Sequence, residues 1–149
     1  MTSRIAVIAI DALEPARVAE FWAAALGWQV AEKGDDGVSI APSDGIGPTI
    51  DVLPVPERKT VKNRLHLDLR AHGCSPDEEV ARLLTLGGRR VDVGQPPDAT
   101  WTVLADPEGN EFCVLSRSVM WRRGPACPWP RSVVPYAGCP TWRPPRARG

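Results

Sequence analysis

Two rhythms of apolar positions run along this chain, one of period two and one near 3.6, and they come in the same order twice. From Glu14 to Leu26, the residues Val18, Phe21, Trp22, Ala25 and Leu26 share one face at helical spacing. Pro15 suits the first helical turn and Gly27 suits the stop. Leu86-Gly87 repeats Leu26-Gly27 after 60 residues and closes a second stretch with the stripe Val80, Leu83, Leu84. That stretch opens on Ser75-Pro76-Asp77-Glu78, a capping box in which serine and glutamate satisfy each other's exposed backbone donors. Each helix follows a strand ending in aspartate, Arg4–Asp11 in the first unit and Arg64–Asp68 in the second.

Short strands follow each helix. They are Trp28–Glu32, Val38–Ala41 and Thr49–Val55 in the first unit, then Arg90–Val93, Thr100–Ala105 and Glu111–Leu115 in the second. Asp106-Pro107-Glu108-Gly109-Asn110 is turn chemistry between the last two. The order is β-α-β-β-β, twice, which predicts an α+β domain of two paired βαβββ modules. Side by side they would form a curled mixed sheet around a cleft, with the helices outside. The domain spans residues 1–118, with module one at 4–57 and module two at 62–116. Residues 119–149 hold 7 prolines, three tryptophans and no apolar period, and read as an irregular tail.

Charge narrows the function. The 149 residues are neutral overall, but residues 1–118 carry −6 and the tail +6. An acidic body lacks the clustered basic face that a phosphate backbone needs, so nucleic acid is not expected as a partner. The longest early apolar run, Ile5–Ile10, is far too short to span a membrane. No secretory signal is read, and a cytoplasmic protein is expected. Cys74, Cys113, Cys127 and Cys139 form no Cys-x-x-Cys pair, so reduced thiols are the default.

Strand parity locates the chemistry. In Arg64–Leu69 the leucines fall on one face, and Arg64, His66 and Asp68 on the other. In the last strand Phe112 and Val114 face the helices, which turns Glu111, Cys113 and Leu115 the opposite way. Ile50 and Val52 are core, which puts Asp51 on the polar side. Three strands thus converge polar groups on one concave surface. The run Arg58–Arg64 between the modules holds four cations, which act as a soluble linker or, at a cleft mouth, attract an anionic substrate. Trp101 either lines the cleft or caps the core. Cys113 has no partner base that the sequence can place, and reads as a buried thiol.

Three segments carry a family resemblance: Phe21-Trp22-Ala23-Ala24-Ala25-Leu26-Gly27-Trp28, Lys62-Asn63-Arg64-Leu65-His66-Leu67-Asp68-Leu69 and Asp106–Leu115. With their spacing they resemble the vicinal oxygen chelate superfamily, the glyoxalase/bleomycin-resistance/extradiol-dioxygenase group, and its glyoxalase-like domain proteins. The resemblance implies a cleft in which many members hold a divalent metal that binds two vicinal substrate oxygens. The ligand positions it implies fall near Val7, Asp51, His66 and Cys113. Val7 has no donor atom, and Cys113 stands where the glyoxalase I pattern has a carboxylate.

Two functions follow. One is a glyoxalase-like enzyme, a lyase, isomerase or dioxygenase, acting on a small oxygenated or carboxylated metabolite. Its catalytic residues would be His66 and Glu111, with Arg64, Asp68, Trp101 and Cys113 binding substrate. His66 and Asp51 would hold a divalent ion (zinc, nickel, manganese or iron), and a metal-free site stands equally open. The other is a non-catalytic binder of a small molecule or antibiotic, in the manner of bleomycin-resistance proteins. The small-molecule ligand and a homodimer are the expected partners.

Overall fold

The computed structural model describes residues 2–116, so the expectations for the 119–149 tail lie outside the described residues. Module one runs β1 (Val7–Ala12), α1 (Pro15–Leu26), β2 (Gln29–Gly34), β3 (Gly37–Ala41) and β4 (Thr49–Pro54). Module two runs β5 (Asp68–Leu69), α2 (Pro76–Thr85), β6 (Arg89–Arg90), β7 (Trp101–Ala105) and β8 (Glu111–Leu115). The strand orders are β1-β4-β3-β2 and β5-β8-β7-β6. In each sheet the first strand lies parallel to the last and the remaining pairs are antiparallel. The duplication read from the 60-residue offset returns as one topology built twice. Hydrogen bonding divides it into two four-stranded sheets rather than one continuous sheet, and neither closes into a barrel.

The helix ends follow local chemistry in module two and distant chemistry in module one. Ser75 Oγ accepts from the Glu78 backbone N–H at 3.3 Å, and Glu78 returns a carboxylate to the Ser75 N–H at 2.8 Å. Glu14, at the N-cap of α1, makes no side-chain cap. Its role passes to Glu108 of module two, whose two carboxylate oxygens accept the N–H groups of Leu13 at 2.8 Å and Glu14 at 2.6 Å. Gly27 ends α1 at φ +67, a conformation that costs other residues a steric penalty. Beyond it, Arg82 of α2 donates to the free carbonyls of Ala24 and Ala25 at 3.0 and 2.8 Å.

One core spans both modules. Val18, Phe21 and Trp22 of α1 bury against Ile40, Ile50 and Val52, and in the same cluster lie Val80, Leu83, Leu104, Phe112 and Val114. Phe112 is the hinge of this packing, with its ring 5.1 Å from Trp22 and 5.8 Å from Phe21. The parity read for β4 and β8 therefore holds: Ile50, Val52, Phe112 and Val114 are all buried.

Module two departs from expectation at two strands. Arg64–Asp68 is not a strand; pairing begins only at Asp68, preceded by one bond from the Cys113 N–H to the Leu67 carbonyl at 2.9 Å. Upstream, the Asn63 N–H goes to the side chain of Glu111 at 3.0 Å instead of to β8 backbone, so the chain peels away from the sheet. Leu67 and Leu69 still pack on the core, whereas Leu65 is 79% exposed. The Arg90–Val93 strand shrinks to Arg89–Arg90. Side chains of Gln95 and Asp92 take the N–H groups of Val93 and Gly94 and turn the chain out of the ladder.

Candidate functional site

A cleft of about 370 Å³ lies between β1 and the segment that joins the modules. Ile8 and Ile10 form one wall, Leu65, His66 and Leu67 the other, and Glu111 lies at the start of β8. The joining segment is held in place by Glu111: Lys59 Nζ donates to one carboxylate oxygen at 2.8 Å and the Asn63 N–H to the other at 3.0 Å. Burial raises the Glu111 carboxyl, but the Lys59 ammonium and the backbone donors together outweigh it and hold the group below the usual carboxylate range. Glu111 therefore stays ionised and occupied.

His66 is a cleft residue, 38% exposed at its side chain. Its Nδ1 stands 3.1 Å from Oδ1 of Asp68 and 3.9 Å from Sγ of Cys113. The parallel register that sets Asp68 opposite Cys113 brings the three groups together. Burial pushes the Cys113 thiol up to about 11, and the Asp68 carboxylate adds to that shift through its charge and a hydrogen bond. The neighbour that sequence reasoning could not place for Cys113 is thus His66, 47 residues away.

The carboxylate beside His66 is Asp68, where Asp51 or Glu111 was expected. Among the described residues one group has metal-ligating atoms gathered within 4.8 Å of one another: His66, Asp68 and Cys113. Asp51 is not in it; its carboxylate accepts the Ser39 hydroxyl at 2.5 Å on the other sheet. Imidazole, carboxylate and thiol form a mixed donor set that would suit zinc or a similar borderline ion. Three donors of these types within 4.8 Å of one another make the residues present a fit for such an ion.

Other expected residues sit elsewhere. Arg64 is exposed and does not line the cleft. Trp101, 36% exposed, lines a separate groove with Pro96, Pro97 and Val91 on module two. Leu115, which parity turned toward the same surface, likewise stays off the cleft wall. Sequence reasoning missed Lys59 and Asn63 as the partners of Glu111, and Glu108 as the cap of α1. The cation-rich 58–64 run was the one available signal for the first pair.

A family model described as a glyoxalase-like domain matches residues 7–115. No curated protein matches the chain. Solved structures share the fold at low identity. A fosfomycin resistance protein from Mesorhizobium loti aligns with TM-score 0.62 and 12% identity over 82% of this chain and 98% of its own. A glyoxalase-related enzyme from Fulvimarina pelagi aligns with TM-score 0.56 and 17% identity over 76% and 88%. An antibiotic-binding protein from a Streptomyces species aligns with TM-score 0.54 and 18% identity over 76% and 95%.

Proposed function

The chain belongs to the glyoxalase-like domain family of the vicinal oxygen chelate superfamily, and from that premise we propose that its cleft is the site of a glyoxalase-like enzyme acting on a small oxygenated or carboxylated metabolite. The observation that carries the reading is His66, held at the cleft wall with Asp68 3.1 Å from its Nδ1. An Nδ1–H donated to that carboxylate leaves Nε2 as the basic nitrogen, the arrangement suited to taking a proton from carbon next to a carbonyl. Asp68 stabilises the imidazolium that results. Ile8, Ile10 and Leu65 supply an apolar wall that excludes water from a bound ligand. Glu111 acts as a positioning residue, fixing Lys59 and Asn63 at the cleft edge.

His66, Asp68 and Cys113 are the residues that would hold a divalent ion, and with an ion bound His66 would serve as its ligand in place of the base. Such an ion, when bound, supplies Lewis-acid polarisation of a substrate oxygen.

A second reading, a non-catalytic binder of a small molecule, is favoured by one observation. Of the four ligand positions that the resemblance implies, Val7 has no donor atom and the Asp51 carboxylate accepts the Ser39 hydroxyl on the other sheet. The discriminating experiment is metal analysis of the purified full chain and of His66→Ala, with unfolding curves for both. The enzyme reading expects bound metal in the wild type, lost in the variant, with stability kept within about 1 kcal/mol. Metal absent from both forms supports the binder over a metal-dependent enzyme. A large loss of stability sinks both readings, because His66 would then be a core residue.

A further inference from the structure

We propose a second subsite, for an oxyanion, in the cavity where the N-terminus of α1, residues 58–59 and β6 meet; the proposal rests on the reading of the adjoining cleft as a substrate site. The cavity measures about 470 Å³ and shares Arg58, Lys59 and Glu108 with the cleft. Its walls carry four cations, Arg17, Arg58, Lys59 and Arg89, against two carboxylates, Glu14 and Glu108. This is a local excess of positive charge on a body that is −6 overall.

The carboxylates are already committed. Glu108 spends both oxygens on the N–H groups of Leu13 and Glu14, and Glu14 pairs with Arg17 at 3.2 Å. Lys59 is taken by Glu111. Arg58 and Arg89 make no ion pair among the described residues. A Cβ built on Gly109 would stand 2.9 Å from Nη2 of Arg89, which places that guanidinium over the turn between β7 and β8, next to Glu108. Both guanidiniums line one cavity, so an oxyanion held there can pair with both. Their planar forks match the oxygens of a carboxylate or phosphoryl group. Because the cavity borders the cleft along Arg58 and Lys59, one ligand spans both: its anionic end lies between the arginines and its reacting oxygens lie toward His66. The substrate class is therefore an elongated oxygenated molecule with a carboxylate or phosphoryl group at the end remote from the chemistry.

The test uses the full chain, titrated with inorganic phosphate and, separately, with acetate at fixed ionic strength, with binding read by calorimetry. One of the two anions binds the wild type, and which one binds tighter distinguishes a phosphoryl from a carboxyl terminus. Arg58→Gln and Arg89→Gln each weaken that binding about tenfold or more. Arg90→Gln, the neighbouring residue in β6 that lines a different groove, leaves it unchanged. His66→Ala also leaves it unchanged, so failure of the His66 chemistry and failure of the anion subsite are read separately. No binding of either anion overturns the proposal, as does equal weakening by Arg90→Gln, which would make the effect one of net charge.

Discussion

Trp22 donates its indole Nε1–H to Oδ2 of Asp106 across 3.2 Å and 84 residues of sequence, and both side chains are buried. Asp106 accepts three further donors: the N–H groups of Glu108 and Asn110 at 3.0 and 2.9 Å, and Asn110 Nδ2 at 2.9 Å. The turn between β7 and β8 is wound around this one carboxylate, and α1 supplies its anchor from the other module. Four donors replace the water that a buried charge would otherwise lose.

Asp106→Ala therefore leaves four donors without an acceptor inside the protein. The expected cost is about 3–5 kcal/mol, read from urea unfolding. Trp22→Phe removes one donor of four and part of an indole, and should cost less than Asp106→Ala. The reverse order would mean that packing, not the carboxylate, holds the modules together.

Glu108 extends the same turn to the start of α1. Glu108→Ala leaves the N–H groups of Leu13 and Glu14 without their acceptor, since Glu14 makes no side-chain cap of its own. The expected loss is about 1–2 kcal/mol, the usual range for a helix cap. Glu108→Gln keeps one acceptor oxygen and should fall between the variant and the wild type in thermal midpoint.

What was legible in the chain was what neighbours in sequence decide. The Ser75–Glu78 box is complete within four residues, and the alternation of Ile50 and Val52, or of Phe112 and Val114, follows from a period of two against a buried face. Parity also turned His66, Asp68 and Cys113 to one side. It failed at Leu65, because whether the chain pairs there depends on Glu111 capturing the Asn63 N–H, 48 residues apart. The Asp68 partner of His66 was on the expected face, yet only the Asp68–Cys113 register shows that this carboxylate, not Asp51, closes the group. Nothing local in the sequence tells which module Glu108 and Arg89 serve.

Arg82 couples the two helices through charge, and its pairing with Glu79 is sensitive to acid. The Glu79 carboxyl is held below its usual range, first by the hydrogen bond from Arg82, against the opposing push of burial. A group whose folded pKa is depressed contributes stability above its unfolded range, and that stability is lost as pH falls through the folded value. Glu79 is therefore expected to stabilise the fold at neutral pH and to lose that contribution on acidification, while the Arg82 bonds to the Ala24 and Ala25 carbonyls persist. Arg82→Gln should cost about 1–3 kcal/mol at neutral pH, as it also strips the Ala24 and Ala25 carbonyls of a charged donor. The variant should show a shallower acid limb, measured as thermal midpoint against pH.

Cys113 separates a structural thiol from a nucleophile. His66 lies 3.9 Å from its sulfur, but through Nδ1, the nitrogen that faces Asp68, and the Asp68 carboxylate opposes a thiolate. With the thiol pushed up to about 11, alkylation of Cys113 in metal-free protein should be slow near neutral pH and rise about tenfold per pH unit below that value. Cys74, which is exposed, should react first, as mapped by mass spectrometry of the labelled peptides. Asp68→Asn removes the charge while leaving burial in place, so it should speed Cys113 alkylation without matching Cys74. Rapid alkylation of wild-type Cys113 at neutral pH would mean that His66 has already taken the thiol proton. The thiolate–imidazolium pair, rather than the His66–Asp68 pair, would then be the reactive unit of the cleft.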